Sequence, residues 1–235
     1  MSENPVTLVL IPGLLSDGIV WEHAEAHFEK TMPVSIPDLF TQDSIHQMAV
    51  DVLEQNPGQL AVAGHSMGAR VAFDMIALAP ERIERVALLD TGFHPLGENE
   101  MPVREELIKL AHDDGMEALL ARWLPPMVHP SRLEDPAIMK PLTDMVLRRN
   151  AEIHERQVRA LIGRRDAGKM LATINCPTLV AVGRQDGFSP VSQHEDIAEM
   201  IPNAKLVIFE DAGHFAPFER PEIVTAALAE WLSGD

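Results

Sequence analysis

The sequence predicts an α/β fold, with a mostly parallel central sheet of about six strands flanked by helices and a helical cap insertion above it. Three features lead there. Short, nearly continuous apolar runs recur along the chain, each of strand length. Segments with helical spacing of apolar residues separate them. Between Pro95 and Asp166 the strand-like runs stop and only helical patterns remain.

With 235 residues and 25.9 kDa, the chain is long enough for one substantial core with an inserted subdomain. Apolar residues make up 46% and charged residues 23%, the balance of a globular domain. The 18 prolines and 14 glycines are dispersed, which excludes collagen-like and linker-dominated chains. Against 19 Lys and Arg stand 36 Asp and Glu, a formal charge of -17. That mean field repels a nucleic-acid backbone, so no nucleic-acid partner is expected. A single cysteine, Cys176, excludes an intrachain disulfide and a multi-cysteine metal site, and it suits a reducing compartment. Met1-Ser2-Glu3-Asn4-Pro5 lacks the basic start of an export signal, and the apolar run over residues 6–11 is too short to span a bilayer. A soluble, cytoplasmic protein without a membrane span is the simplest reading.

Taken in order, Val6-Thr7-Leu8-Val9-Leu10-Ile11 is stopped by Pro12-Gly13 and is apolar on both faces, as a parallel strand between helix layers is. Trp21, Ala24, Glu25 and Phe28 fit a short amphipathic helix. Val34-Ser35-Ile36-Pro37 is a weaker strand, because the proline removes an amide donor and suits only a strand's end. Leu60-Ala61-Val62-Ala63-Gly64 repeats the buried-strand pattern. The helix Met67–Leu78 follows, with Val71, Ala72, Met75, Ile76 and Ala79 at helical spacings and Pro80 at its end. Val86-Ala87-Leu88-Leu89-Asp90 is the next strand. Residues 104–112, 115–124, 136–149 and 151–162 then read as helices, interrupted by Pro125-Pro126 and Pro130. Thr178-Leu179-Val180-Ala181-Val182-Gly183 and Lys205-Leu206-Val207-Ile208-Phe209 return to strands. The last helix begins near Pro221, with Ile223, Val224, Ala227, Leu228 and Trp231 inward. This divides the chain into a core over residues 1–94 and 167–235 and a helical cap over residues 95–166. The cap's Leu119, Leu120, Trp123, Leu124, Met127 and Val128 either line a cavity or pack on the body.

The most informative segment is Gly64-His65-Ser66-Met67-Gly68, a Gly-x-Ser-x-Gly string between a strand pattern and a helix pattern. In that context the turn holds the serine in a strained backbone state, and side chains at Gly64 or Gly68 would collide with adjoining backbone. The hydroxyl is thereby presented near a helix N-terminus, whose amides favour developing negative charge. The bland alternative is a Gly-rich turn with a capping serine. A serine needs a base to act as a nucleophile near neutral pH. His214, in Ala212-Gly213-His214-Phe215 directly after the last strand, lies where open α/β sheets place chemistry. Asp186, in Gly183-Arg184-Gln185-Asp186-Gly187, follows the preceding strand and suits the carboxylate that orients the imidazole. Asp196 and Glu210 are its alternatives.

The chain resembles the α/β-hydrolase superfamily, in particular small carboxylesterases and enol-lactone hydrolases. The likeness rests on Pro12-Gly13-Leu14-Leu15, the Ser66 turn, Pro177-Thr178-Leu179-Val180 with Asp186, and Ala212-Gly213-His214, in the order Ser, Asp, His. It implies that the backbone N–H groups of Leu14 and Met67 form an oxyanion hole. A substrate pocket is expected where Trp123, Leu124, Met127 and Phe215 meet around Ser66. Family members often carry His where this chain has Pro12. The usual N-terminal hairpin is absent, because residues 6–11 already fit the strand before the oxyanion loop, so a shortened sheet is expected. A serine rather than an aspartate as nucleophile argues against haloalkane dehalogenation.

The function expected is therefore hydrolysis of a small or medium carboxylic ester through a Ser-His-Asp triad and an acyl-enzyme, with no metal or cofactor. The partner would be a small-molecule ester or lactone; nothing in the sequence sets the oligomeric state. Enol-lactone hydrolysis, cofactor-free perhydrolysis, lyase chemistry and a non-catalytic ligand-binding role are the alternatives. His23 and His27 stand four apart but lack the glutamate of a zinc-protease helix. The segment over residues 163–169 fits no phosphate loop and reads as the exit from the cap. Arg122, Arg148, Arg149, Arg156 and Arg159 read as solvated helix faces rather than a site for an acidic substrate.

Overall fold

The computed structural model describes residues 5–234; Met1 to Asn4, read above for an export signal, lie outside the described residues. The strands are β1 (Thr7–Ile11), β2 (Val34–Ser35), β3 (Leu60–His65), β4 (Ile83–Leu89), β5 (Thr178–Gly183) and β6 (Lys205–Phe209). They form one six-stranded sheet in the order β2-β1-β3-β4-β5-β6, and every pair is parallel. The helices are α1 (Glu22–Phe28), α2 (Ile45–Gln55), α3 (Met67–Leu78), α4 (Glu100–Asp113), α5 (Met116–Trp123), α6 (Pro136–Leu147), α7 (Ala151–Ile162), α8 (Gly168–Leu171), α9 (Val191–Met200), α10 (Ala216–Glu219) and α11 (Pro221–Ser233).

Alternate strand residues face opposite sides of a sheet, and both sides here are dry. Leu8, Leu10, Ala61, Ala63, Ala87, Leu89, Leu179 and Ala181 pack under α1 and α11 with Phe28, Leu228 and Trp231. Val9, Ile11, Val62, Val86, Leu88 and Val180 pack under α2, α3 and α9 with Met48, Met75 and Ile197. This two-sided burial is why the strands read as continuous apolar runs instead of alternating ones.

Some boundaries differ from expectation. The helix α2, absent from the sequence reading, carries its signal in Ile45, Met48, Ala49, Val52 and Leu53 on one face, with the Ser44 side chain capping the Gln47 amide. The first cap helix starts at Glu100, not at 104, because Pro102 falls in its first turn, where an amide has no helical partner to lose. The third stops at Leu147, and the Asn150 side chain caps α7.

The cap, α4 to α7, leaves the body after β4 and returns before β5. Its own core joins Leu119, Trp123, Leu124, Met127, Leu142 and Met145 to Leu15 and Phe215 of the body. Chain order reverses between β1 and β3, so the loops at their carboxyl ends border a topological switch point, where open parallel sheets bind ligands. Ser66 follows β3 there, and Leu14 follows β1. No helix among the described residues is long and apolar enough to cross a membrane.

Candidate active site

Ser66 joins the fully buried β3 to α3 with φ 55° and ψ -115°, a conformation that L residues rarely adopt. The two glycines make the turn possible. A Cβ at Gly64 would stand 2.5 Å from the Ala69 nitrogen, and one at Gly68 would stand 2.2 Å from the Ile11 carbonyl oxygen. Around this turn the Ser66 N–H donates to the Leu89 carbonyl and the Thr91 hydroxyl donates to the Ser66 carbonyl.

His214 and Asp186 meet the serine from the ends of the last two strands. His214 Nε2 lies 2.8 Å from Ser66 Oγ, and His214 Nδ1 lies 2.8 Å from Asp186 Oδ2. The carboxylate can only accept from the ring, so Nδ1 carries the proton and the Nε2 lone pair faces the hydroxyl. Asp186 Oδ1 accepts from the Phe188 and Ser189 amides at 2.8 and 2.9 Å. Burial alone would raise the Asp186 carboxyl, but His214 and these two amides more than offset it and hold it below the usual carboxylate range. Of the alternatives, Asp196 is exposed on α9, and Glu210 pairs with Arg184.

A cavity of about 420 Å³ opens over Ser66 and His214, and its lining includes Leu14, Met67, Trp123, Met127 and Phe215. Leu124, expected beside them, does not line it. It is fully buried in the cap's core, because successive helical side chains diverge by about 100° and Trp123 takes the cavity side. Met67 opens α3, where amides lack helical acceptors. A hydroxyl, a base held in one tautomer and free amides beside an apolar cavity are the parts that acyl transfer requires.

A family model described as "Alpha/beta hydrolase family" matches residues 8–227. The chain belongs to the alpha/beta hydrolase family. Over 242 residues the hydrolase is 28% identical to the pimeloyl-[acyl-carrier protein] methyl ester esterase of Photobacterium profundum, covering 96% of this chain and 94% of that protein. It superposes on a thermophilic esterase from Thermogutta terrifontis with a TM-score of 0.90 at 26% identity, covering 97% of this chain and 90% of the other. The enol-lactonase from Burkholderia xenovorans LB400 gives a TM-score of 0.88 at 24% identity over 98% of this chain and 92% of that one, a likeness of fold.

Several residues that support the hydrolase's site escaped the sequence reading. His65, next to Ser66 in the motif, is 1% exposed and donates Nε2–H to the His214 carbonyl at 2.6 Å. The Gln157 side chain on α7 accepts from the Leu15 amide at 2.8 Å and donates to the Leu39 carbonyl at 3.0 Å, so the cap braces the loop after β1. Glu219 accepts from the amides of Gly213 and of the cap's His129, each at 2.9 Å, while the His214 amide donates to the Met127 carbonyl. Gly213 permits that approach, since a Cβ there would stand 2.6 Å from the Met127 oxygen. Other residues singled out in the sequence lie elsewhere. His23 is hydrogen-bonded to Thr225, Arg148 and Arg149 pair with Asp17, Arg156 donates to the Phe40 carbonyl, and Arg122 and Arg159 pair with Glu106 and Glu105. None of these five arginines lines the cavity.

Buried titratable groups set how the hydrolase responds to acid. Burial pushes His65 down to about 3, with the neighbouring His214 adding to it, and pushes His154 and His194 down to about 4. Unfolding lets each take a proton once pH falls below its ordinary value of 6.5, at about 1.4 kcal/mol per pH unit for each proton bound only when unfolded. Asp90 and Glu219 are raised by burial, so their folded forms hold protons first and oppose this loss at mildly acid pH. Asp186 and Glu100 are lowered, so their contribution is present above the ordinary carboxylate range and is lost as pH falls through it. The three imidazoles outnumber the two raised carboxyls, so stability is expected to decline as pH falls below about 6.5 and more steeply below about pH 4.5, where Asp186 and Glu100 add to the loss. Urea midpoints across this range check it; an undiminished midpoint at about pH 4 would contradict the assignment of neutral, buried imidazoles.

Proposed function

We propose that the hydrolase cleaves carboxylic esters of small or medium acyl groups through an acyl-enzyme on Ser66. The observation that carries this reading is the pair of 2.8 Å contacts that link Ser66, His214 and Asp186. His214 Nε2 takes the hydroxyl proton as Oγ bonds to the ester carbonyl carbon. The carbonyl oxygen becomes an oxyanion, bound by the Leu14 and Met67 amides. As the tetrahedral centre collapses, the carbon–alkoxide bond breaks and His214 returns its proton to the departing alcohol. Water then attacks the acyl-serine with His214 again taking a proton, and the acid leaves as Ser66 recovers its own. Asp186 keeps Nδ1 protonated and stabilises the imidazolium. Residues 95–166 serve as the cap over a core built from residues 1–94 and 167–235, with Trp123, Met127 and Phe215 giving the acyl group an apolar wall.

Ester chemistry is further supported by the relatives, since the Photobacterium protein is named for a methyl ester and the Thermogutta protein is an esterase. A chain-length series of p-nitrophenyl esters tests the proposal. The expected result is a burst of about one p-nitrophenolate per chain where deacylation is slow, and steady turnover with an optimum at short or medium chains. Neither burst nor turnover from folded protein would overturn it.

A further inference from the structure

The cavity over Ser66 is apolar around Trp123, Met127 and Phe215 and cationic elsewhere. Three guanidinium groups, Arg70, Arg104 and Arg164, line it, together with a single carboxylate among the described residues, Glu100. Glu100 is already shared. Its Oε1 accepts from Arg104 Nη2 at 2.6 Å, and its two oxygens accept from Arg164 at 3.0 and 2.7 Å. Arg164 also donates to the His94 and Pro95 carbonyls, which fixes its plane. Arg70 has no such partner. Its one hydrogen bond among the described residues runs from Nη1 to the His94 carbonyl at 2.9 Å, and no carboxylate pairs with it.

The lining charges thus sum to +2 in a protein whose formal charge is -17. Burial, and then the nearby Arg164, lower Arg70 to about 9, which leaves it protonated near neutral pH; Asp166, the other acid that acts on it, is bonded to the Gly168 amide and is not part of the lining. His154 lines the same cavity with both ring nitrogens buried and unpartnered, and a neutral imidazole keeps one N–H to donate. Unmatched cationic and donor groups in one cavity call for an anionic ligand, and the planar fork of a guanidinium matches a carboxylate.

Resting on the ester-hydrolase reading, we infer that this cavity takes half-esters of dicarboxylic acids: the scissile ester lies at Ser66 while the free carboxylate at the other end of the acyl chain is seated on Arg70. Arg70, in the first turn of α3 four residues beyond Ser66, lines the same cavity as that serine, so a spacer of a few methylenes joins the two positions. Arg104 and Arg164, held by Glu100, add to the field without competing for that geometry. Hydrolysis of such a half-ester releases a dicarboxylate and an alcohol.

The test compares mono-p-nitrophenyl glutarate with its neutral counterpart, methyl p-nitrophenyl glutarate, in low salt. A buried charge-assisted pair sets the expected preference in kcat/KM for the charged ester at roughly ten- to a hundredfold. Arg70→Gln should remove most of that ratio, whatever it does to both substrates together, and Arg70→Lys should retain part of it. A wild-type ratio at or below one, or a ratio unchanged in Arg70→Gln, would overturn the inference while leaving the esterase reading intact. Titration with glutarate alone gives a readout that needs no turnover. Binding to the wild type that weakens about tenfold or more in Arg70→Gln supports the subsite even if no ester is cleaved. Absence of glutarate binding to the wild type overturns it.

Discussion

Ser66→Ala is expected to abolish acyl-enzyme formation and to lower ester turnover by about 10⁴-fold or more, with little change in stability. The hydroxyl's hydrogen bond to His214 is replaced by nothing, so the base has no proton to take and the carbonyl carbon meets no nucleophile. The fold has little reason to respond. Alanine occupies the same φ of 55° as serine, both glycines of the turn remain, and the Ser66 backbone keeps its bonds to Leu89 and Thr91. Whole-protein mass spectrometry with a serine-reactive phosphonate reads the covalent step directly, beside thermal melting for stability. Full labelling of the alanine variant would show that another residue is the nucleophile.

A second substitution, Asp186→Asn, should lower kcat by roughly 10⁴-fold while costing far less stability. The asparagine oxygen can still accept from the Phe188 and Ser189 amides, which preserves the turn after β5. Its NH₂ group then faces His214 Nδ1, which must become an acceptor. The ring proton moves to Nε2, where it points at Ser66 and can no longer be exchanged for the hydroxyl's. Steady-state ester kinetics set against melting temperature separate the two effects. Turnover close to wild type would reassign the orienting carboxylate.

Both variants probe contacts that span long stretches of chain: 148 residues separate His214 from Ser66, and 28 separate it from Asp186. What brings them together is the parallel sheet, since loops at the carboxyl ends of β3, β5 and the last strand β6 open on one rim. The cap adds a second set of ties, through Gln157 to the loop after β1 and through Glu219 to the loop before His214. Cap position and site geometry are therefore coupled by buried hydrogen bonds at both edges of the cavity.

From the sequence alone came the layers and the turn. Two-sided burial leaves continuous apolar runs such as Thr178-Leu179-Val180-Ala181-Val182, helix stripes recur every three or four residues, and the collisions that require Gly64 and Gly68 arise within a few residues of Ser66 or one strand away. Such signals are local, so a linear reading finds them, and the motif order then pointed to Ser66, Asp186 and His214. Only the tertiary structure decided that Trp123 faces the cavity and Leu124 the cap's core, that Gln157 reaches a loop 142 residues away, and that Arg70, Arg104 and Arg164 line the cavity while Arg122, Arg148, Arg149, Arg156 and Arg159 bond outside it. Those outcomes follow from the rotation and docking of whole helices, which depend on packing summed over many distant side chains and leave no periodic mark in the residues they place.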